Sequence, residues 1–129
     1  MKYEAGVRNI GKAGVQREYL FSLLGFVLST ILGYNVVLYS LPPYWFYTLT
    51  IPFMLGFEGF FQGYLRFSTT SGMLGIYDLN GRSNRRGRVT DRRSHMKDLK
   101  TSFKIHLFSL FSSLLLATII FYPYYFIFH

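Results

Sequence analysis

Two stretches of the chain carry no charged side chain, residues 19–57 and residues 105–129. Apolar positions run through both almost without a break, at neither a helical nor a strand period. Helices that are apolar on every side need lipid or a large protein around them, and a run of about 20 such residues crosses the hydrocarbon core of a bilayer. The pattern divides into three spans. The first covers about Tyr19 to Tyr39, whose length at ~1.5 Å per residue is ~31 Å, close to that core. Leu41-Pro42-Pro43-Tyr44 ends it, because the first proline biases its predecessor away from helix and the pair cannot continue one. Pro43 can then open the next helix, where a missing N–H costs little.

The second span covers about Tyr44 to Leu65, with Pro52 inside it. An internal proline removes a backbone bond and predicts a kink. Thr48, one turn away, is placed to satisfy the freed carbonyl. The third span covers about Phe103 to Tyr122, and a Pro123-containing aromatic tail follows. The expected fold is an all-α integral membrane protein with three transmembrane helices. It is organised as a basic N-terminal tail (1–18), a two-helix hairpin (19–65), a basic cytoplasmic loop (66–102) and a third transmembrane helix (103–129).

Within the tail, Gly6, Gly11 and Gly14 argue against a stable isolated helix. The tail is expected to lie on the membrane surface or on a neighbouring subunit. Its polar residues and the long first span read as an uncleaved first helix rather than a signal peptide. In the loop, Phe67 to Leu79 is mildly apolar and suits docking at the interface, and Asn80 to Arg93 reads as exposed. Helix 3 can start early, near Ser94 or His95, which would set Lys97, Lys100 and Lys104 near the headgroups.

Charge adds orientation. The chain has a net charge of +8, and all fourteen basic residues fall in the tail or between Arg66 and Lys104. Two spans separate those segments, so both belong on one face of the membrane. The excess of Lys and Arg puts that face in the cytoplasm or its equivalent. The Pro-Pro turn and the C-terminus then lie outside, where Tyr39, Tyr44, Trp45, Tyr122, Tyr124 and Tyr125 form an aromatic belt. Composition agrees: only 16% of residues are charged, against about a quarter in soluble domains. Cysteine is absent, which excludes disulfides, thiol nucleophiles and thiolate metal sites.

Candidate chemistry concentrates in the second span. Glu58 is a carboxylate inside it, ~10 Å from its cytoplasmic end by helical rise. Gln62 and Arg66 follow at helical spacing on the same face, and His106 of the third span can approach them. An ionised carboxylate in lipid must be paired, protonated or wetted, so these four form an intramembrane polar cluster, read first as a packing lock and second as a proton or ligand site. Gly56, Gly59 and Gly63 mark a helix-packing interface, within this unit or with a partner subunit. Arg82, Arg85, Arg86, Arg88, Arg92 and Arg93 are expected to contact anionic lipid or an acidic partner. No RNA-binding fold accompanies them, so nucleic acid is not an expected partner.

Asp78-Leu79-Asn80-Gly81 reads as a turn, because the later ligands of a calcium loop are missing. His95, His106 and His129 are too scattered by topology to share a metal. No catalytic set, cofactor motif or metal site is expected. The leading functional expectation is a non-catalytic accessory subunit of a larger membrane complex, held by other integral membrane subunits. Energy-converting complexes and membrane oxygenases are the host types by analogy. The alternatives are a small homo-oligomeric transporter or channel using Glu58, Gln62 and Arg66, and a membrane-anchored adaptor with a basic loop.

Overall fold

The structure, a computed structural model, describes residues 3–79 and 86–128, and of Arg86 and Phe128 the backbone alone. It is mostly helical. Helix α1 spans Lys12–Leu38, a 3₁₀ segment follows at Pro43–Leu49, and α2 spans Thr50–Leu65. The short helix α3, Thr69–Leu74, leads into an antiparallel ribbon of β1 (Ile76–Asp78) and β2 (Arg86–Arg88). The ribbon pairs Ile76 with Arg88 and Tyr77 with Gly87. Helix α4 closes the chain at Arg92–Phe128. Two helices, α1 and α4, are long and apolar enough to cross a membrane. They each pack on α2 and hardly touch one another.

The second apolar stretch differs from the expected kinked helix. Its first third winds as 3₁₀, and α2 begins only at Thr50, so Pro52 sits in a first turn rather than mid-helix. There its missing N–H removes no intrahelical bond. Thr48 correspondingly donates to the Trp45 carbonyl at 2.5 Å instead of rescuing a freed one. Alone, α2 covers ~24 Å, short of a ~30 Å core.

Helix α1 starts seven residues before the expected boundary, and residue 14 explains how. A Cβ on Gly14 would lie 2.9 Å from Cβ of Ile10, so the glycine lets the preceding chain fold back against the helix. The helix ends in a Schellman turn. Ser40 takes a left-handed φ of 48°, its N–H bonds the Val37 carbonyl, and the Leu41 N–H bonds the Val36 carbonyl.

The tail is ordered against its own chain. It straps across the base of its own chain. The Asn9 and Ile10 N–H groups donate to the Arg66 carbonyl at 3.2 and 3.4 Å, and the Gly11 N–H donates to the Asp78 carbonyl at 3.0 Å. Asn9 is fully buried, and its side chain donates to the Ser68 carbonyl at 2.9 Å while accepting from the Ser68 N–H at 2.6 Å. Farther out, Tyr3 OH and the Gly6 N–H both bond the buried Asp98 carboxylate, at 2.6 and 2.7 Å. Thr101 Oγ1 donates to the Gly6 carbonyl at 2.7 Å.

The expected loop is likewise largely folded. Ser68 caps α3, accepting from the Ser71 N–H at 3.3 Å, and Phe67 is fully buried while Met73 and Leu74 stay exposed. Asp91 sets the start of α4 eleven residues before Phe103, accepting from the Arg93 N–H and the Ser94 hydroxyl at 3.3 and 3.0 Å. Those bonds, Ser94's first, hold the Asp91 carboxyl below its ordinary pKa.

The packing is inverted relative to a water-soluble bundle. The buried stripes hold small and polar residues: Ser22, Gly25 and Ser29 on α1, and Ser102, Ser109, Ser113 and Ala117 on α4. The large side chains point out, among them Leu20, Leu23, Ile31, Phe108 and Phe111. An apolar cluster of Val36, Phe46, Leu49, Phe53, Ala117 and Tyr124 fills the end near the 3₁₀ segment.

Candidate functional site

Helix α2 sets the site. Its glycines let α1 approach to backbone contact. A Cβ on Gly25 would lie 2.8 Å from Gly56 Cα, and a Cβ on Gly59 would lie 2.5 Å from the Ser22 nitrogen. A Cβ on Gly63 would fall 2.8 Å from the Tyr19 ring, and one on Gly56 3.0 Å from the Phe26 ring. All three glycines of the expected interface therefore serve packing inside this chain.

Glu58 and Gln62, one turn apart, emerge beside that seam. The imidazole Nδ1 of His106, from α4, lies 2.5 Å from Glu58 Oε1. The Glu58 side chain is 15% exposed and that of His106 42%. Gln62 donates to Glu58 Oε2 at 3.2 Å, and its own oxygen accepts from the Thr69 N–H at 2.9 Å and the Thr69 hydroxyl at 3.2 Å. Ser102 donates to the Thr69 carbonyl at 3.3 Å and to the Asp98 carbonyl at 2.8 Å. A chain of polar contacts thus runs from His106 through Glu58, Gln62, Thr69 and Ser102 to the residue that holds the strap.

Arg66 does not join this cluster. The helix stops at Leu65, and Arg66 turns left-handed with φ 56°, which swings its side chain off the face it would share with Glu58 in a continuing helix. It is exposed, and it borders a cavity of about 370 Å³ with Lys12, Val15, Gln16 and Tyr19.

Glu18, which its position before the charge-free run places in the expected tail, belongs near the cluster. It is buried on the inner face of α1, with its backbone against Gly59 and its carboxyl within electrostatic reach of Glu58. The spacing Gly14, Glu18, Ser22, Gly25, Ser29 is the helical pattern that marks it.

Of the basic run, Arg82 and Arg85 lie outside the described residues, as does the Arg86 side chain. Arg88 is exposed on β2 and borders a cavity with Arg17 and Tyr77. Arg92 and Arg93 open α4 and line a cavity of about 580 Å³ with Asp91, Met96, Lys97 and Lys100. His95 approaches the Met73 carbonyl at 3.3 Å, and His129 lies outside the described residues. Among the described residues, no group of three or more His, Asp or Glu is placed to hold a metal ion.

An apolar groove of about 580 Å³ also opens between α1 and α4 over Phe46, Leu49 and Phe53. The wall hydroxyls Ser29 and Thr30 donate to their own helix at 2.8 and 2.9 Å, so the groove is mainly hydrocarbon. Chemically, the Glu58–His106 contact can share one proton. Both ends of the Gln62 amide are committed, so it fixes the carboxylate's orientation. Comparison with protein-family models, curated proteins and solved structures found no match.

Proposed function

We propose that this chain is a three-span membrane protein acting as a non-catalytic accessory subunit of a larger membrane complex. The observation that carries the reading is the inverted packing. Ser and Gly line the helix contacts while Leu, Phe and Ile face outward along α1 and α4. Water would penalise that outer surface heavily, whereas helices in lipid associate through small residues.

The middle span is the 3₁₀ segment together with α2. At their respective rises the two reach ~38 Å, enough for the core. The strap supports the topology: the tail bonds Arg66, Ser68, Asp78 and Asp98, so tail and basic segment share one end of the bundle. By the excess of Lys and Arg, that end is cytoplasmic.

The accessory role rests on the committed polar cluster and on the outward faces of α1 and α4, which leave ample apolar surface for neighbouring subunits. Glu58 and His106 act as a lock between α2 and α4. Native electrophoresis in mild detergent tests the role: the chain should comigrate with other membrane proteins. A homo-oligomer of this chain alone overturns it and favours the small transporter. A cysteine at Pro43 should react with impermeant reagent from the outer side, and labelling from the cytoplasm alone overturns the topology.

A further inference from the structure

Opposite its buried stripe, α4 carries a second, exposed one, touched by the tail only where Gly6 meets the Lys97 Cβ. Arg93, Lys97, Lys100 and Lys104 recur at helical spacing, and Leu107 and Phe111 continue the same line. All six side chains are exposed, Phe111 at 66%. The buried residues Asp98, Ser102, Ile105, Ser109 and Ser113 occupy the far side of the helix. One straight face therefore turns from cationic to hydrocarbon within a single turn.

Little of its charge is cancelled from within. Asp98 faces the other way and is taken by Tyr3 and Gly6. Asp91 caps the helix through Ser94 and the Arg93 N–H, with only a weaker electrostatic pull from Lys97. Glu4 lies 3.7 Å from Arg8. Among the described residues, no carboxylate makes a salt bridge with Arg93, Lys97, Lys100 or Lys104.

We propose that this face is a binding site for an anionic phospholipid. Lys97, Lys100 and Lys104 take the headgroup phosphate, and Leu107 and Phe111 carry the first part of an acyl chain. The proposal rests on the reading of α4 as a membrane span. Lys97 and Lys104, the outer two, are ~10 Å apart along the axis, a little beyond the ~5–8 Å headgroup layer, a difference their flexible stems can close. Lysine stems can lie on the apolar surface while their ammonium groups reach the phosphate. Arg92 and Arg93 extend the cationic surface into water, beside the cavity that Met96 also lines. An acidic soluble protein would match the upper half of the stripe but not its apolar continuation.

The test is native mass spectrometry of the purified full chain, titrated with phosphatidylglycerol, phosphatidylcholine or inorganic phosphate. The wild type should retain phosphatidylglycerol in preference to phosphatidylcholine, and inorganic phosphate should not displace it. K97Q/K100Q/K104Q should weaken retention about a hundredfold. K97R/K100R/K104R should restore it, which separates charge from folding. K12Q/R17Q, with the same sign of change elsewhere, should leave it near wild type. Equal retention of the two lipids overturns the proposal, as does an equal loss in K12Q/R17Q or failure of the arginine variant to bind. Displacement by inorganic phosphate assigns the lysines to a soluble anion instead. Flotation with phosphatidylcholine vesicles is the separate control. A chain that floats without lipid preference refutes this site alone, and a chain that does not float refutes the membrane reading.

Discussion

Two glycine-to-alanine substitutions should move stability in opposite directions, although both add one methyl group to an apolar helix. At Gly59 the new Cβ would meet the Glu18 carbonyl and the Ser22 nitrogen and Cα. These are backbone atoms of a packed helix, so relief requires α1 and α2 to separate. Overpacking of this kind costs about 1–3 kcal/mol, and more where rigid groups collide. Alanine returns about 1 kcal/mol through its higher helix propensity. We expect G59A to lose about 2 kcal/mol net, the upper part of the overpacking range less the propensity gain.

At Gly33 the nearest neighbour of a new Cβ is Leu49 Cδ1 at 3.6 Å, an ordinary contact. There only the propensity remains, so G33A should be neutral or more stable by up to about 1 kcal/mol. Reversible unfolding in detergent micelles, with each variant beside wild type, measures both. The reasoning fails if G59A unfolds like wild type, or if G33A loses as much as G59A. Either outcome would mean that the approach of α1 to α2 at Gly59 does not govern stability.

The Glu58–His106 contact should appear as coupling. H106A leaves a mostly buried carboxylate short of a partner and should cost about 1–3 kcal/mol, and after E58Q the same change should cost less; additive losses in the double-variant cycle would refute the lock. Ser40 holds a left-handed φ of 48° that costs an L-residue about 1–2 kcal/mol, so S40G should raise stability, and a loss would show the Schellman turn depends on the serine side chain. The Asp91 carboxyl has a lowered pKa in the folded chain, so its support for the start of α4 is complete above the unfolded value of ~3.9 and fades as pH falls towards the folded one. Protection factors over Arg92–Lys97, taken against the intrinsic exchange rate at each pH, should fall on acidification through that range in wild type, whereas D91N should be less protected at neutral pH and lack the acid step.

The apolar runs made α1 and α4 legible, because continuous hydrophobicity needs no knowledge of partners. Hydropathy does not distinguish 3₁₀ winding from α winding, so the segment before Thr50 read as helix and Pro52 as interior. Gln62 was visible as a neighbour of Glu58 from helical spacing, and His106 as one able to approach from its depth in the third span, since a carboxylate in an apolar run must find a partner. Arg66 was misplaced because its face depends on where α2 stops, and that stop is fixed by a left-handed residue whose carbonyl is taken by the strap. Asn9 was invisible: one polar residue among many, buried only when Ser68 and Arg66 fold beneath it. Glu18 lay in plain view on a helical stripe, hidden by the assumption that the helix began where the charges ended.

The strap also bears on the order in which the molecule is made. Its inner bonds, from Asn9 and Ile10 to Ser68 and Arg66, need only the first half of the chain. Its outer bonds, from Tyr3 and Gly6 to Asp98 and Thr101, must wait for α4 to be synthesised. During synthesis from the N-terminal side, Tyr3 and Gly6 therefore complete their contacts after Asn9 and Ile10 do, zipping backward from Ile10 to Tyr3. A bulky fusion ahead of Tyr3 would leave the nascent hairpin intact and delay the capture of the final helix.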